Sequence, residues 1–459
     1  MSSHPPSDPH TDADLPTDAH DKLSVVSHRL PMTYTPDHGW QRSPGGLVSA
    51  VAPALRDTRA RWFGHVARGT PAPPSGTGHR LVGLPVSPHL ERNALDGFCN
   101  RTLWPALHGL SGKVEELDDW WRAYRNLAER TARRVARATP IGGTVWLQDY
   151  HFYGVPEALK RLRTDLRIGL FCHTPVAADT LEQLRDAAAL ARSLASADFI
   201  GVQTSYDGEA MRRFLSPSAE SLPTIHVDPV GIDTAHWQQL RSDPLVESLT
   251  ERHLAVPGSL VVGVDRLDYT KGIAHKLLAI ETLLDNRLVD PDDFRFIQIA
   301  VPTRTGVPIY GFVRDQVLEI ERRINNGHPR TDGVPVVHVI CEQRAPREVA
   351  ALYRAADVAL VTPVCDGLNL VAVEFSVINA DRDCELVLSV GAGACETIGH
   401  ACLTVDGADV ISVAAGLRAA IAGPTDRHER AQQRGVAALA LDSRSWFERC
   451  RRQFSVPVR

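Results

Sequence analysis

Two cations five residues apart give the sharpest chemical signal in the sequence. Arg266 and Lys271 lie in the segment Asp265-Arg266-Leu267-Asp268-Tyr269-Thr270-Lys271-Gly272, which follows an apolar run and precedes a helical pattern. A turn of this length brings both cations to one point. A diphosphate suits that pair, because the guanidinium can fork onto two oxygens while the ammonium acts as a point charge. Two exposed loop cations are the alternative that the spacing leaves open.

A second segment joins a carboxylate to the start of a helix. It reads Thr362-Pro363-Val364-Cys365-Asp366-Gly367-Leu368-Asn369-Leu370 and runs into a helix that contains Glu374. Asp366 is expected at a strand end, and the N–H groups of Gly367, Leu368, Asn369 and Leu370 predict a helix N-terminus open to an anion. An aspartate that caps this terminus is the structural alternative.

Polar residues also follow the apolar runs of the first half. They are Ser27-His28-Arg29, Pro44-Gly45-Gly46-Leu47, Asp149-Tyr150-His151 and His173-Thr174-Pro175. An acid and an imidazole at adjacent strand ends can bind a hydroxyl-rich substrate or exchange protons with it. Paired glycines at a helix start let backbone N–H groups approach an anion. A purely structural His173 and a glycine turn without a ligand remain the alternatives.

These residues need a scaffold, and the pattern of the chain predicts one. Short β-branched runs alternate with segments of helical period, which is typical of βαβ units around a parallel sheet. The predicted strands are Leu23–Val26, Thr144–Asp149, Arg167–Cys172, Asp198–Gln203 and Thr224–Val227 in the first series, and Ser259–Asp265, Asp293–Ala300, Val334–Cys341, Asp357–Thr362 and Cys384–Val390 in the second. The longest predicted helix, Val114–Thr139, has Leu117 among its core-facing residues.

The two series predict an α/β chain with two doubly wound domains that face each other across a cleft. A polar stretch lies between the series, and we place the boundary there, so that residues 22–245 form the first domain and residues 246–459 the second. Ligands of such sheets bind at the carboxyl ends of the strands. The loops after the strands are therefore where the site is expected.

Length and composition exclude several classes of protein. The chain has 459 residues, of which 43% are hydrophobic and 23% charged, close to the globular average, and residues 1–21 alone have the composition of a disordered tail. The basic residues are dispersed and the net charge is -5, so no nucleic-acid partner is expected. No apolar run reaches the roughly 20 residues of a membrane helix, and the N-terminus lacks the features of a secretory signal. We therefore expect no membrane partner and a cytoplasmic location; the oligomeric state is open, and a homo-oligomer is one option.

Competing motifs are weak. The segment Ser389-Val390-Gly391-Ala392-Gly393-Ala394 resembles half of a dinucleotide fingerprint, but Glu396 stands at the third glycine position, which argues against NAD. The sequence has no Walker lysine motif, no hydrolase elbow and no metal-ligand spacing. Group transfer from a nucleotide-linked donor therefore fits better than hydrolysis.

At these residues the chain resembles the trehalose-6-phosphate synthase family, the retaining glycosyltransferases of family 20 with the two-Rossmann GT-B fold. The resemblance runs from about Leu23 to Trp446. The matching motifs are Val25-Val26-Ser27-His28-Arg29, Gly45-Gly46-Leu47, Gly97-Phe98-Cys99-Asn100, Leu103-Trp104-Pro105, Trp146-Leu147-Gln148-Asp149-Tyr150-His151, Arg266-Leu267-Asp268-Tyr269-Thr270-Lys271-Gly272 and Asp366-Gly367-Leu368-Asn369-Leu370-Val371.

The resemblance implies a role for each candidate residue. In the second domain, Arg266 and Lys271 would bind the donor diphosphate with help from the Gly367–Leu370 amides, Asp366 would hold sugar hydroxyls, and Glu374 the ribose. Opposite them, Gly46 would lie against the donor phosphate, His173 would contact the donor sugar and Asp149 the acceptor sugar. The implied acceptor-phosphate residues are Arg29, Trp104 and Arg304.

The implied reaction forms trehalose 6-phosphate from a nucleotide-glucose and glucose 6-phosphate with retention of configuration. In the front-face mechanism proposed for the family, the leaving phosphate receives the acceptor proton, and Arg266 and Lys271 stabilise its charge. Asp149 and His173 would complete the catalytic group. That scheme requires no divalent metal, so neither a metal site nor another cofactor is expected.

Four positions depart from the family pattern, and they keep alternatives open. Leu95 stands where a tyrosine usually reaches the acceptor phosphate, Val373 replaces a common lysine, the loop His173-Thr174-Pro175-Val176-Ala177 lacks a usual aromatic, and Glu396-Thr397 replaces Glu-Leu. A different acceptor, such as a glycerol phosphate or an aminocyclitol phosphate, is therefore an alternative, as is a non-catalytic regulatory homologue. Arg344, after the Val334–Cys341 run, could read guanine O6 and N7, so GDP-glucose stands beside UDP-glucose as the donor.

Overall fold

The computed structural model describes residues 22–43, 46–55, 58–74, 79–218 and 221–454. The predicted tail over residues 1–21 and the motif residue Gly45 lie outside this part of the chain.

The first half of the described chain builds a seven-stranded parallel sheet with the order β5-β4-β1-β6-β7-β8-β9, and a separate hairpin of β2 and β3. The strands are β1 (Leu23–Ser27), β2 (Met32–Thr35), β3 (Gly39–Arg42), β4 (Arg61–Ala67), β5 (Arg80–Val86), β6 (Thr144–Gln148), β7 (Arg167–Phe171), β8 (Phe199–Val202) and β9 (Thr224–Val227). The helices are α1 (Gly46–Ala54), α2 (Pro88–Leu90), α3 (Trp104–Leu107), α4 (Asp118–Ala138), α5 (Val155–Leu162), α6 (Ala178–Glu182), α7 (Ala187–Ala195), α8 (Ser205–Leu215), α9 (Thr234–Gln239) and α10 (Pro244–Leu254), and a π-helical segment, Glu91–Leu103, joins α2 to α3.

The second half builds a six-stranded parallel sheet with the order β12-β11-β10-β13-β14-β15. Its strands are β10 (Ser259–Arg266), β11 (Phe294–Val301), β12 (Val337–Ile340), β13 (Val358–Val361), β14 (Glu385–Ser389) and β15 (Leu403–Val405). Its helices are α11 (Ile273–Asp285), α12 (Pro308–Gly327), α13 (Pro346–Ala355), α14 (Leu370–Ile378), α15 (Cys395–Ile398), α16 (Val410–Ala422), α17 (Arg427–Leu439) and α18 (Ser443–Phe454).

Each sheet reverses its strand order at one point, and the reversal explains where the site lies. In the first sheet the chain runs outward from β1 in one direction and from β6 in the other; in the second sheet β10 and β13 have the same relation. A crevice opens at such a point, at the carboxyl ends of the two strands. Arg266 is the last residue of β10. The loops after β1, β6 and β13 contain Arg29, Asp149 and Asp366.

The sequence predicted ten of the fifteen strands, all with the observed parallel arrangement. It missed the hairpin, because β2 and β3 are short and polar, and it missed β15, which has three residues. It also missed β4 and the edge strand β5, which contains Pro85; a proline is tolerated only at such an edge. The longest helix is shorter than predicted, since α4 begins at Asp118 and the preceding Leu117 is 55% exposed rather than in the core.

The two halves are joined by more than one segment. Helix α10 runs across the boundary predicted between residues 245 and 246, and α18 returns from the second half to the first sheet. There the Trp446 ring lies 5.2 Å from Trp146 and 5.0 Å from Phe171 between centroids. These buried aromatic contacts bring the two sheets together behind the cleft. None of the helices in the described ranges is long and apolar enough to span a lipid bilayer.

Candidate active site

The loop after β10 places Arg266 and Lys271 at the same edge of the second sheet. Arg266 is the last residue of β10, and Lys271 ends a short turn in which the Thr270 N–H donates to the Asp268 carboxylate. Gly272 follows with a φ of 65° and leads into α11. A side chain on Gly272 would lie 2.6 Å from Thr362 O, so both its backbone angle and its surroundings require glycine.

Lys271 forms an ion pair with Asp366, which follows β13. Lys271 Nζ contacts Asp366 Oδ2, and the two side chains are 9% and 15% exposed. Asp366 Oδ2 also accepts from Asn369 Nδ2 at 3.0 Å. Burial alone would raise the pKa of Asp366, but the charge and hydrogen bond of Lys271 and the charge of Arg266 hold it below its ordinary value. Asp366 is therefore ionised beside its cation.

The cap of α14 is Asn369 and not Asp366. The Asn369 side-chain oxygen accepts from the Ala372 N–H at 3.2 Å, and Asn369 itself has a φ of 74°. The alternative that Asp366 caps this helix is therefore wrong. Its carboxylate instead faces the ammonium group of Lys271.

Gly367 brings the two halves of the chain into contact. A Cβ on Gly367 would lie 1.9 Å from His173 O, in the loop after β7, and only a hydrogen fits there. The same segment is also bound within its own half, since the Ala394 N–H, just before α15, donates to Leu368 O at 2.7 Å. We name the segment 366–370 the donor loop and the segment 173–177 the His173 loop. The donor loop of the second half therefore lies directly against the His173 loop of the first half.

Asp149 is held at the end of β6 in a backbone conformation that is rare outside glycine. Its φ is 74° and its ψ is 176°, which costs on the order of 1–3 kcal/mol. The His173 N–H donates to Asp149 Oδ1 at 3.1 Å. Burial raises the pKa of Asp149 to about 6, against the lowering effect of backbone N–H groups of His173, Tyr150 and Thr174. The surrounding structure, including the His173 N–H, therefore holds this carboxylate at the end of β6 against the strain.

His173 is a neutral imidazole with a fixed orientation. Its Nε2 lies 2.9 Å from Gln148 Oε1, and its ring lies 4.7 Å from that of Phe171. In this arrangement Nε2 carries the proton, because a carbonyl oxygen only accepts, and Nδ1 keeps a lone pair. Burial lowers the pKa of His173 to about 3. The side chain can therefore accept a hydrogen bond from a sugar hydroxyl without becoming charged.

Arg304, after β11, reaches across the cleft to the first half. Its Nε donates to Asn100 Oδ1 at 2.9 Å, and an Nη donates to the Tyr150 hydroxyl at 3.3 Å. Within the second half it donates to Asp268 Oδ2 at 2.6 Å and to the Tyr310 hydroxyl at 3.2 Å. A guanidinium has five N–H groups, so Arg304 has little capacity left for a bidentate grip on a phosphate.

Trp104 lies beneath two of the arginines. The Arg304 guanidinium is 3.8 Å from the centre of the indole and the Arg266 guanidinium 5.2 Å. On the indole, Trp104 Nε1 is buried and has no hydrogen-bond partner in the described part of the chain. A buried N–H without a hydrogen-bond acceptor costs free energy. The Trp104 indole lies beside two cations, which would attract an anion able to accept that hydrogen bond.

Arg29 completes a group of three arginines. It follows β1, and partial desolvation together with the like charges of Arg266 and Arg304 lowers its pKa. A bound phosphate would relieve that repulsion. Leu95, by contrast, is buried in the apolar core and adds no polar group to this part of the cleft.

The residues predicted on the nucleotide side are more dispersed. Glu374 lies under Tyr353, whose hydroxyl is 3.4 Å from Oε2, and burial raises the pKa of Glu374 to about 8. Arg344 is 36% exposed and forms ion pairs with Glu342 of its own loop at 3.5 Å and with Glu348 in the first turn of α13 at 3.7 Å. On the first half, Gly46 is the first residue of α1.

Several residues of the site were not found from the sequence. Asn100, Asp268 and Tyr310 bind Arg304, and His65 joins His28 in a hydrogen bond of 3.2 Å between their Nδ1 atoms. Asn100 and Asp268 lie inside matched motifs, which was the available signal. Nothing in the local sequence marks Tyr310 or His65. No group of His, Cys, Asp or Glu side chains in the described ranges is arranged to hold a metal ion.

The geometry described so far agrees with the comparison to known families. The model of Glycosyltransferase family 20 matches residues 21–455. The chain belongs to glycosyltransferase family 20. As a member of that family it is a glycosyltransferase, and the resemblance stated from its motifs is confirmed.

Curated members of family 20 align along most of this chain. Trehalose-6-phosphate synthase of Mycolicibacterium smegmatis is 33% identical over 469 aligned residues, which cover 93% of this chain and 92% of that protein. The protein of the same name from Mycobacterium tuberculosis is also 33% identical, with 92% of each chain covered.

Solved structures of family 20 proteins have the same fold. The α,α-trehalose-phosphate synthase (UDP-forming) of Burkholderia xenovorans, in complex with glucose 6-phosphate, has a TM-score of 0.86 at 26% identity and covers 95% of this chain and 100% of its own. The E. coli protein bound with UDP-2-fluoro glucose has a TM-score of 0.86 at 25% identity, with the same coverage. The predicted GT-B arrangement of two Rossmann-like domains is confirmed.

Proposed function

We propose that this chain is a retaining glucosyltransferase that forms α,α-trehalose 6-phosphate from a nucleotide-glucose and glucose 6-phosphate. The observation that carries the proposal is the pairing of two anion sites in one cleft, with Arg266 and Lys271 on one side and Arg29 and Trp104 on the other. Each site suits one phosphorylated substrate. The relatives named for this activity, and the solved relatives bound to glucose 6-phosphate and to a UDP-sugar, support the same pair of substrates.

The second domain, residues 246–459, would hold the donor. Arg266 and Lys271 bind the diphosphate, with the amides of Gly367, Leu368, Asn369 and Leu370 beside them, and Gly46 approaches the phosphate from the opposite domain. Lys271 exchanges its contact with Asp366 for the diphosphate, which frees the carboxylate for sugar hydroxyls. Glu374, whose raised pKa of about 8 favours the protonated carboxyl at neutral pH, can donate to a ribose oxygen as well as accept.

The first domain, residues 22–245, would hold the acceptor. Within the described ranges the guanidinium of Arg29 has no ion-pair partner and the Trp104 N–H has no hydrogen-bond partner, so these groups would bind its phosphate. Arg304 contributes its charge and at most one further N–H, because its other donors are already used. Asp149 would accept hydrogen bonds from the acceptor sugar, and His173 from the donor sugar.

Transfer in this arrangement needs charge stabilisation and exclusion of water. The acceptor hydroxyl oxygen forms a bond to C1 of the glucosyl group while the bond from C1 to the diphosphate oxygen breaks. The acceptor proton passes to that leaving oxygen on the same face, so the configuration is retained. Arg266 and Lys271 stabilise the charge that develops on the diphosphate, and the contact of Gly367 with the His173 loop keeps water away from C1.

The loop after β12 contains Arg344, the residue that bears on the identity of the donor base. Arg344 could form two hydrogen bonds to guanine, which favours GDP-glucose. Its ion pairs with Glu342 and Glu348 compete for the same N–H groups, which favours UDP-glucose. Both donors are therefore candidates, and a side-by-side assay separates them.

One observation favours an acceptor substrate other than glucose 6-phosphate. Leu95 is buried in the core and leaves one side of the acceptor phosphate without a hydroxyl donor. A glycerol phosphate or an aminocyclitol phosphate could use this less demanding subsite. The phosphate remains common to all three acceptors.

The test is an incubation of the purified chain with UDP-glucose or GDP-glucose and glucose 6-phosphate, followed by mass detection of the nucleoside diphosphate and the disaccharide phosphate. Product with one donor confirms the reaction and identifies the base. Arg29→Ala should raise the acceptor KM by about tenfold or more with little change in donor KM, since a hydrogen bond to a charged group is worth about 1.5–3 kcal/mol. Nucleotide binding without any disaccharide phosphate would refute glucose 6-phosphate as the acceptor.

A further inference from the structure

A carboxylate of the second domain caps a helix of the first domain beside the cleft. Glu396 is the first-turn acid of α15, and its carboxylate accepts from the Ser205 N–H at 3.2 Å and 3.0 Å through its two oxygens. The Ser205 hydroxyl donates to Glu396 Oε1 at 2.5 Å. Ser205 is the first residue of α8. We name this contact between Glu396 and Ser205 the clamp.

On the side of the second domain, the clamp is continuous with the donor loop. Two residues before α15, the Gly393 N–H donates to Asp366 O at 3.2 Å, and the next residue, Ala394, donates to Leu368 O at 2.7 Å. A Cβ on Gly393 would lie 1.8 Å from Gly367 O, so the two segments are in close backbone contact. A displacement of Glu396 is therefore transmitted to the backbone of Asp366 and Gly367.

On the side of the first domain, the clamp is continuous with the His173 loop. Thr204 caps α8 by accepting from the Asp207 N–H at 3.0 Å, and its hydroxyl donates to Asp207 Oδ2 at 2.6 Å. The other oxygen of Asp207 accepts from the Val176 N–H at 2.8 Å, three residues after His173. The start of α8 and the His173 loop thus form one hydrogen-bonded unit.

We propose that Glu396 is a positioning residue for the transfer: by capping α8 across the cleft it holds the donor loop against the His173 loop. It would touch neither substrate and acts through the backbone of Asp366 and Gly367. The expected changes in KM and kcat rest on the proposed function, whereas the expected change in the arrangement of the two domains does not. It also gives a role to the acid that interrupts the dinucleotide-like segment, where a third glycine would leave α8 without this partner.

The physical basis is that the N-terminus of α8 presents N–H groups that have no partners inside the helix. The first N–H groups of a helix lack partners within the helix and attract a negative charge. Both clamp residues are exposed to solvent, so the contact is screened and its contribution is modest. A modest contribution still matters for a domain equilibrium, because a tenfold change in that equilibrium requires only about 1.4 kcal/mol.

The experiment compares Glu396→Ala, Glu396→Gln and Ser205→Ala in the full chain. Glu429→Ala is the matched control, because Glu429 is a carboxylate near the start of α17 that bonds only to Gln433 of its own helix in the described structure. Four quantities are measured for each variant: donor KM, kcat, the fraction of donor hydrolysed without acceptor, and the radius of gyration by small-angle X-ray scattering. The unfolding midpoint serves as the check on folding.

Glu396→Ala should raise donor KM about two- to fivefold, in line with a loss of about 0.4–1 kcal/mol for an exposed contact. It should lower kcat by less than about threefold, because saturating donor itself draws the domains together. The hydrolysed fraction and the radius of gyration of the free protein should both increase. Glu396→Gln keeps a hydrogen-bond acceptor and the side-chain length, so its donor KM should lie close to the wild-type value. Ser205→Ala should raise the donor KM less than Glu396→Ala does, because the backbone N–H remains.

The clamp would be refuted if Glu396→Ala matched Glu429→Ala in donor KM and radius of gyration. A lowered unfolding midpoint with an unchanged KM would also refute it, since the role would then be structural only. If the wild type transfers no glucose with either donor, the proposed function fails separately. The clamp is then tested by the affinity for UDP or GDP and by the scattering curves, and unchanged values in both would overturn it.

Discussion

Replacement of Lys271 by methionine separates the two roles of its ammonium, in stability and in catalysis. Lys271 and Asp366 are 9% and 15% exposed, and removal of the cation leaves a buried carboxylate for which the described part of the chain provides no other ion-pair partner. Breaking such a pair by removing one member costs about 3–5 kcal/mol of unfolding free energy. Turnover should fall further than stability explains, by at least about a thousandfold, because a preorganised charge on the leaving diphosphate is lost.

Helix α11 offers a matched control for this experiment. Five residues further on, Lys276 forms an even more deeply buried pair with Asp265 at 2.6 Å, with exposures of 0% and 2%. Lys276→Met should therefore lose about the same 3–5 kcal/mol. Its ammonium contacts no residue assigned to the donor or the acceptor, so kcat should stay within about tenfold of wild type when measured well below the unfolding transition.

The double variant Lys271→Met/Asp366→Asn completes the argument. Removing both charges should restore most of the unfolding free energy, since it is the unpaired carboxylate that destabilises the single variant. It should not restore turnover. The measurements are urea unfolding and steady-state kcat with saturating substrates. A Lys271→Met variant that is folded and keeps more than about a tenth of wild-type kcat would refute the role of this ammonium in leaving-group stabilisation.

Three further predictions test other contacts. Gly367→Ala should abolish transfer, because its Cβ would lie 1.9 Å from His173 O; a folded variant with normal kcat would show that the domains do not meet there during turnover. Turnover should fall as pH drops through about 6, because burial raises the pKa of Asp149 to about 6 and protonation removes its charge; a profile that stays level from about pH 8 to 5 would contradict this. Arg344→Ala should lower kcat/KM for GDP-glucose relative to UDP-glucose by about tenfold if the side chain reads guanine, whereas an unchanged ratio would limit it to its two ion pairs.

The sequence predicted the positions of the main loops because a parallel sheet places the carboxyl ends of its strands at one edge. Arg266 and Asp366 follow predicted strands and Asp149 ends one, and each of these strands borders a reversal of strand order. Spacing alone therefore located these side chains without any knowledge of their contacts. The same reasoning could not supply their partners, since Asp366 could have capped α14 and instead pairs with Lys271.

Backbone conformation was the part of the site that the sequence did not reveal. Four residues other than glycine have a positive φ in the described ranges, and three of them, Asp149, Arg304 and Asn369, are candidate site residues. A sequence pattern gives no warning of such angles, because the surrounding fold must hold them. The cross-cleft bonds of Arg304 depend on the same effect, since its φ of 46° belongs to the loop from which the side chain reaches the first domain.

The distribution of charge partners in the cleft explains why both substrates should carry phosphate. Lys271 is paired with Asp366 and Arg304 with Asp268. In the described ranges neither Arg29 nor Arg266 has an ion-pair partner, and partial desolvation together with the charges of Arg266 and Arg304 lowers the pKa of Arg29. In the proposed complex, a diphosphate at Arg266 and a phosphate at Arg29 would supply the two compensating anions. Glucose without its phosphate would leave the repulsion at Arg29 unrelieved and the Trp104 N–H without an acceptor, so it should be a poor acceptor whichever nucleotide carries the donor.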